Sequence, residues 1–254
     1  MIKIVLTNNK GGVTKTTSTL NLGYALANAN KKVALIDFDS QKNMSINLIH
    51  TGGSNLSDVL KKKSISKKDF ATTNNDNLYI LPNNGDVSIQ LFSQFESDEQ
   101  PYLLLDCLEQ LPKDTFDIIL IDTPPNLELQ TVNSLIASNY ALIPATLETN
   151  SIIGVQNTLN SINRIKSRLN PCLKLIGVFI SKYDERLTST NSQMQNDLLE
   201  ILQGDDHILT TKIRTNSNFS KNQMIQQSIF EDKNDRRGAE DYTELAAELL
   251  KIIN

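Results

Sequence analysis

Cysteine is scarce in this chain of 254 residues: only Cys107 and Cys172 occur, far apart and without the spacing of a metal-ligand set. That excludes a disulfide-built scaffold and a cysteine-held cluster, and it fits a reducing compartment. Long apolar runs are also missing, and none approaches the ~20 residues needed to span a bilayer. A secretory leader is not expected, since the chain enters a strand-like run directly at Ile2. Nor is there a surplus of basic charge. Lys and Arg number 25 against 29 Asp and Glu, giving a net charge of −4. A nucleic acid would therefore have to be met by a local patch, assembled for instance on dimerisation, and not by a generally basic surface. The expectation from these absences is a soluble cytoplasmic protein.

What is present is ordinary for one α/β domain: 39% hydrophobic and 21% charged residues in a chain long enough to bury a large core. Strand-like runs at Ile2–Leu6, Lys32–Asp37, Leu78–Leu81, Phe116–Asp122, Tyr140–Ala145, Leu173–Ile180 and Ile208–Ile213 alternate with segments of helical period. Those helical segments are Thr16–Ala29, a short one near Met44–Ile49, Ile152–Leu169 ahead of Pro171, and Tyr242–Ile253. Alternation of this kind predicts βαβ units, hence a single domain with a mostly parallel twisted sheet covered by helices on both faces. Two polar stretches, Lys61–Lys68 and Thr72–Asn77, read as solvated loops or helix ends.

The chemistry concentrates in Lys10-Gly11-Gly12-Val13-Thr14-Lys15-Thr16-Thr17, directly after the first apolar run. A buried strand, a glycine turn and a helix start form a phosphate cradle, because unpaired N–H groups at a helix N-terminus attract anionic oxygens. Glycine lets the backbone approach a phosphate without a Cβ clash. Lys15 is placed to reach the terminal phosphates, and the Thr16 hydroxyl to ligate Mg²⁺. The usual G-x-x-x-x-G-K-[ST] pattern fails, since its glycines would be Asn9 and Thr14; the variant K-G-G-x-x-K-[ST] is met in full.

Two further elements end in carboxylates. The second strand leads into Asp37-Phe38-Asp39-Ser40-Gln41, whose two aspartates share one side of an extended segment at the end of the sheet where ligands bind. One would act on a water and the other on the magnesium shell. Asp117-Ile118-Ile119-Leu120-Ile121-Asp122-Thr123-Pro124-Pro125 is an apolar strand that offers Asp122 to a metal-bound water.

These elements resemble the deviant Walker A, Walker A′ and Walker B segments of the ParA/MinD superfamily of ATPases. Arg237-Gly238-Ala239-Glu240-Asp241-Tyr242 is similar to the C-terminal motif of its ParA-type partition ATPases. The resemblance implies a P-loop NTPase fold without an N-terminal helix-turn-helix, and ATP with Mg²⁺ held at Lys10 to Thr17, Asp37 and Asp122. It implies Asp39 positioning the attacking water, and Lys10 reaching the partner's nucleotide in an ATP-bound homodimer, where Gly11 marks the close approach. It further implies weak hydrolysis, non-specific DNA binding on the nucleoid, and a centromere-binding ParB-type protein that stimulates turnover. Arg186 matches one DNA-binding arginine of the family; Asn218 stands where a second is usual, and Lys212, Arg214 and Lys221 are substitutes. Ser40 and Thr14 depart from the family's proline and glycine. A β-branched residue at position 14 predicts either negative φ or a strained loop with slow turnover. Two alternatives stay open: a MinD-like membrane-cycling ATPase, and a non-hydrolysing nucleotide-gated DNA-binding regulator.

Overall fold

The protein was analysed as a computed structural model that describes residues 1–83, 87–202, 207–232 and 236–253. Strands β1 (Ile2–Leu6), β2 (Val33–Asp37), β6 (Ile118–Asp122) and β7 (Tyr140–Ala145) form its centre, with β5 (Leu78–Leu81), β8 (Lys174–Tyr183) and β9 (Ile208–Arg214) outside them. Two short strands, β3 (His50–Thr51) and β4 (Ala71–Thr73), finish one edge. The sheet order is β3-β4-β5-β2-β6-β1-β7-β8-β9. All pairings are parallel except β3 with β4 and β4 with β5.

Alternation along the central strands builds two cores. Val5, Ala34, Ile36, Ile119 and Ile121 face one side. There they meet α3 (Leu56–Lys62), α5 (Leu103–Leu108), α6 (Leu129–Ala137), α7 (Thr149–Arg168) and Leu198 and Ile201 of α8 (Thr188–Ile201). Ile4, Leu6, Val33, Leu35, Ile118 and Leu120 face the other side. They pack on α1 (Lys15–Asn28), Met44 of α2 (Asn43–Asn47) and α10 (Arg236–Ile253). Burying each such side chain contributes about 1.5–3 kcal/mol, so strands clothed on both sides read as continuous apolar runs. Two smaller helices, α4 (Ile89–Phe92) and α9 (Asn218–Met224), and two 3₁₀ turns, Lys67–Asp69 and Gln100–Tyr102, complete the described elements.

The predicted α/β fold is the observed one, with local differences. The stretch Thr72–Asn77 is not all loop: Thr72 and Thr73 belong to β4, paired antiparallel to β5. Propensity does not reveal a strand of three residues that exists because a neighbouring edge is free to pair with it. The C-terminal helix starts earlier than its apolar period, at Arg236, and β8 runs on to Tyr183.

Register fixes the site. Leu6, Asp37 and Asp122 lie opposite one another across β1, β6 and β2, so three strands end level. The chain leaves β1 toward β2 on one side while β7 pairs on its other side, and the carboxyl edge at such a switch is where open α/β sheets bind ligands.

Candidate nucleotide site

The loop from Thr7 to Thr14 is held from several directions. Asn8 Nδ2 donates to Pro144 O at 2.8 Å, Asn8 Oδ1 accepts from Lys10 N at 2.9 Å, and Asn9 N donates to Thr158 Oγ1 at 2.9 Å. Gly154 of α7 lies so close that an added Cβ would stand 2.9 Å from Asn8 Oδ1 and from Lys10 Cβ. Val13 is buried rather than facing the ligand space, and its carbonyl accepts from Ser181 Oγ. Gly12 takes a φ of +78°, which glycine adopts without cost.

Thr14 takes the left-handed conformation too, with φ 70° and ψ 21°. Of the two possibilities open at this position, negative φ or strain, the backbone adopts the strained one. The Thr14 hydroxyl is 3.2 Å from Ser18 Oγ, which is 2.9 Å from the Tyr242 hydroxyl, so a buried chain of hydroxyls ties the strained residue to α10. A β-branched residue here costs about 1–3 kcal/mol, and its side chain lines the ligand space. Thr14→Gly should relieve both and raise steady-state ATP turnover at least about threefold, a change of about 0.65 kcal/mol in barrier height. Equal phosphate-release rates for variant and wild type would reject slow turnover caused by strain.

The remaining groups converge on one cavity of about 360 Å³, lined by Gly11, Gly12, Thr14, Lys15, Thr16, Thr17 and Asp39, with Pro125 at its side. Lys15 is buried, and its Nζ donates to Asn8 O at 3.0 Å and Lys10 O at 3.1 Å. Burial lowers its pKa, opposed by the negative charges of Asp122 and Asp39. Thr16 Oγ1 donates to Asp122 Oδ2 at 2.7 Å. Asp122 is fully buried, and burial together with the nearby charge of Asp37 pushes its carboxyl up to about 8, while Thr16 and Lys15 pull it down.

The two aspartates of the second strand end differ in place. Asp39 lines the cavity and accepts from Gln41 N at 2.9 Å. Asp37 sits behind it, taking Ser45 N and Ser45 Oγ on Oδ2 at 2.7 and 2.6 Å while its buried Oδ1 has no partner. Burial lifts Asp37 to about 6 despite those bonds.

Among the described residues no three His, Cys, Asp or Glu side chains form a metal cluster by themselves. Mg²⁺ does not need one, since it keeps waters and takes one or two protein oxygens plus phosphate oxygens. The hydroxyl of Thr16, the carboxylate of Asp122 and the unpartnered Oδ1 of Asp37 are all hard oxygen donors on buried or half-buried side chains, so the donor chemistry fits that ion.

Lys10 stands at the rim, its Nζ 3.3 Å from Glu148 Oε2 on a largely exposed side chain. A second cavity of about 300 Å³ adjoins the first and shares Gly12, Thr14, Thr17 and Gln223 with it. Lys182, Ile213, Arg214, Thr215, Asn216 and Phe219 form its far side. The loops 181–184 and 214–216 thus supply Lys182 and Arg214–Asn216 to it, whereas Ser181 is buried and donates to Val13 O and Ala145 O. Phe219 and Gln223 were not legible, because α9 has no apolar period and returns to the loop only through the fold.

The basic residues considered for DNA have distinct surroundings. Arg186 is exposed and paired with Asp184 at 2.6 Å. Lys212 Nζ lies 4.6 Å from the Tyr183 ring centre. Arg214 forks onto buried Asp241 at 2.6 and 3.0 Å, and Lys221 lies exposed on α9. Arg186, Arg214 and Arg237 line one surface hollow, and Arg214, Arg236 and Arg237 another. Arg236 was missed, although its pairing with Arg237 just before Gly238 is visible in the sequence.

A loop of backbone amides and Lys15, set at the end of a parallel strand opposite two aspartates, defines the P-loop class of NTPases. The AAA domain family matches residues 1–175. The chromosome-partitioning ATPase Soj of Treponema pallidum is 39% identical over 183 residues, 72% of this chain and 72% of its own. Among solved structures, a Borrelia burgdorferi B31 protein described as a plasmid partition protein, bound to AMPPNP, is 26% identical with a TM-score of 0.75, covering 99% of this chain and 98% of its own. Cobyrinic acid a,c-diamide synthase of Mycobacterium smegmatis, with an ATP analogue and magnesium, is also 26% identical, with a TM-score of 0.79 over 99% and 95%. The chain belongs to the AAA domain family and, within the ParA/MinD superfamily, to its ParA-type partition ATPases. Among the described residues no helix is long and apolar enough to cross a membrane.

Proposed function

We propose that this protein binds ATP with Mg²⁺, forms a dimer that encloses the nucleotides, binds DNA without sequence preference in that state, and is returned to monomers by weak hydrolysis that a ParB-type partner stimulates, so segregating a plasmid or chromosome. The observation that carries the reading is the division of labour between two lysines of one loop. Lys15 is inside the cradle, its ammonium turned onto backbone carbonyls that phosphate oxygens would replace. Lys10 is at the rim, where among the described residues its ammonium meets a single exposed ion pair of the kind that contributes ~1 kcal/mol or less, so it would be free to cross to a second protomer.

Phosphoryl transfer rests on positioning and charge neutralisation. The loop amides and Lys15 would supply charge, and Asp39, facing the cavity, would orient the attacking water. Thr16 and Asp122 would hold Mg²⁺, which when bound neutralises charge on the phosphates. DNA phosphates would meet Arg186, Lys212 and Lys221 together with Arg236 and Arg237, while Arg214, committed to Asp241, keeps that surface in shape. A membrane-cycling reading has less support, because the C-terminal helix spends Tyr242, Leu245, Leu249 and Ile253 on the core.

Binding to non-specific duplex DNA at fixed low salt should be at least about tenfold tighter with ATP than with ADP, and the gain should vanish in Lys10→Ala. Binding that ignores the nucleotide, or no binding, would reject the DNA and dimer parts of the reading.

A further inference from the structure

Gln223 belongs to α9, far from the loop in sequence, yet its side chain stands in the wall common to both cavities. The other shared residues, Gly12, Thr14 and Thr17, all come from the phosphate loop and its helix. Gln223 Nε2 donates to Thr17 Oγ1 at 2.8 Å. The direction of that bond matters. A hydroxyl oxygen that accepts from an amide keeps its own proton for another acceptor, and the Thr17 hydroxyl makes no other hydrogen bond among the described residues. Thr17 lines both cavities, so with the phosphates in the first and the base in the second its proton would meet an oxygen of the phosphate nearest the nucleoside.

We infer that Gln223 is a positioning residue for the nucleotide: by donating to Thr17 it aims the Thr17 proton at the innermost phosphate, and it makes α9 report whether that phosphate is present. The inference rests on the nucleotide-binding reading above. The segment just after α9 adds a second attachment, since Gln226 Nε2 donates to Ile46 O in α2. Next to it Met224 is 86% exposed and Ile225 57% exposed, so this end of α9 is fixed by polar contacts, while Phe219 at the other end packs edge-on against Tyr242. Loss of the Gln223–Thr17 contact therefore loosens the C-terminal end of α9 without disturbing Phe219 on the core.

Replacement predicts a graded series. Gln223→Met keeps the length and loses the donor; it should weaken ADP binding by about fivefold to tenfold, as for one ordinary hydrogen bond, with no change in thermal unfolding of the nucleotide-free protein. Gln223→Glu should be worse, because a carboxylate takes the Thr17 proton for itself and adds negative charge beside the phosphate. Thr17→Val should weaken ADP about as much as Gln223→Met, and the double variant should be no weaker than Thr17→Val alone, since both changes remove one coupled interaction. Fluorescence titration with a labelled ADP and competition by unlabelled ADP, AMP and adenosine reads the series. Adenosine, lacking the phosphate, should compete equally with wild type and Gln223→Met. Additive losses in the double variant, an unchanged ADP affinity in Gln223→Met, or an equal loss for adenosine would overturn the role of Gln223 while leaving nucleotide binding standing. A wild-type protein that takes up no ADP would overturn both.

Discussion

Asp122→Asn is expected to make the nucleotide-free protein more stable and the enzyme inactive. Asp122 is fully buried at the end of β6, with Asp37 level with it on β2, and burial and that neighbour raise its carboxyl pKa to about 8. A carboxyl whose native pKa lies above its unfolded value binds its proton more tightly when folded. Its contribution is fully present below the unfolded pKa and is lost as pH rises through the native one, so the nucleotide-free protein should lose stability between about pH 4 and pH 8. The amide of Asp122→Asn carries no charge and still offers an oxygen to the Thr16 hydroxyl. The variant should melt about 5 °C or more above wild type at pH 8, with the difference shrinking toward pH 5. It should also lose the further rise in melting temperature that Mg²⁺ with ATP gives the wild type, and turnover should fall by about 10²-fold or more. Thermal unfolding across pH, with and without Mg-ATP, separates these effects. A variant that melts below wild type at pH 8 would show that the buried carboxylate is not the strained element.

Lys15→Met is expected to fail in both respects. The ammonium holds the carbonyls of Asn8 and Lys10, and it is the cation that the charges of Asp122 and Asp39 favour. Without it two carbonyls lose their donor, at about 1–3 kcal/mol for each one left buried and unpaired, and the carboxylates lose their counter-charge. The melting temperature should drop by about 4 °C or more, and ATP turnover by about 10²-fold or more. Adding Asp122→Asn should restore the stability of Lys15→Met and none of its turnover, because the charge of each side chain acts on the other and their effects on folding do not add. Melting curves and phosphate release on the four proteins test this. Additive stability changes would mean that Lys15 and Asp122 do not sense each other across the cavity.

Much of this site is legible in the chain because its parts are local. A five-residue strand, apolar except for Lys3, followed by Lys10-Gly11-Gly12 and then a helix can form few other structures, since the turn, the strand and the helix start are all set within about fifteen residues. The placing of Asp39 and Asp122 at strand ends follows from the same local rule, once the sheet is taken as parallel. Asp37 shows its limit. Alternation puts Asp37 and Asp39 on one side of an extended segment, but the chain turns after β2, and Ser45 from α2 claims Asp37 while Asp39 alone reaches the cavity.

By itself the sequence determined the class of fold, the order of the seven longer strands along the chain, and where the glycine loop and the strand-end carboxylates would fall. Each of these depends on period and spacing among near neighbours. Only the tertiary structure decided that Thr14 sits at positive φ, because Val13 is pinned by Ser181 from β8 while Lys15 must start a helix. It alone brought Gln223 to Thr17 across 206 positions, set Arg214 on Asp241, and gave β5 the small partner β4. Such contacts join segments that are remote in the chain, and the energy that selects them comes from packing the two cores, which no local pattern of residues records.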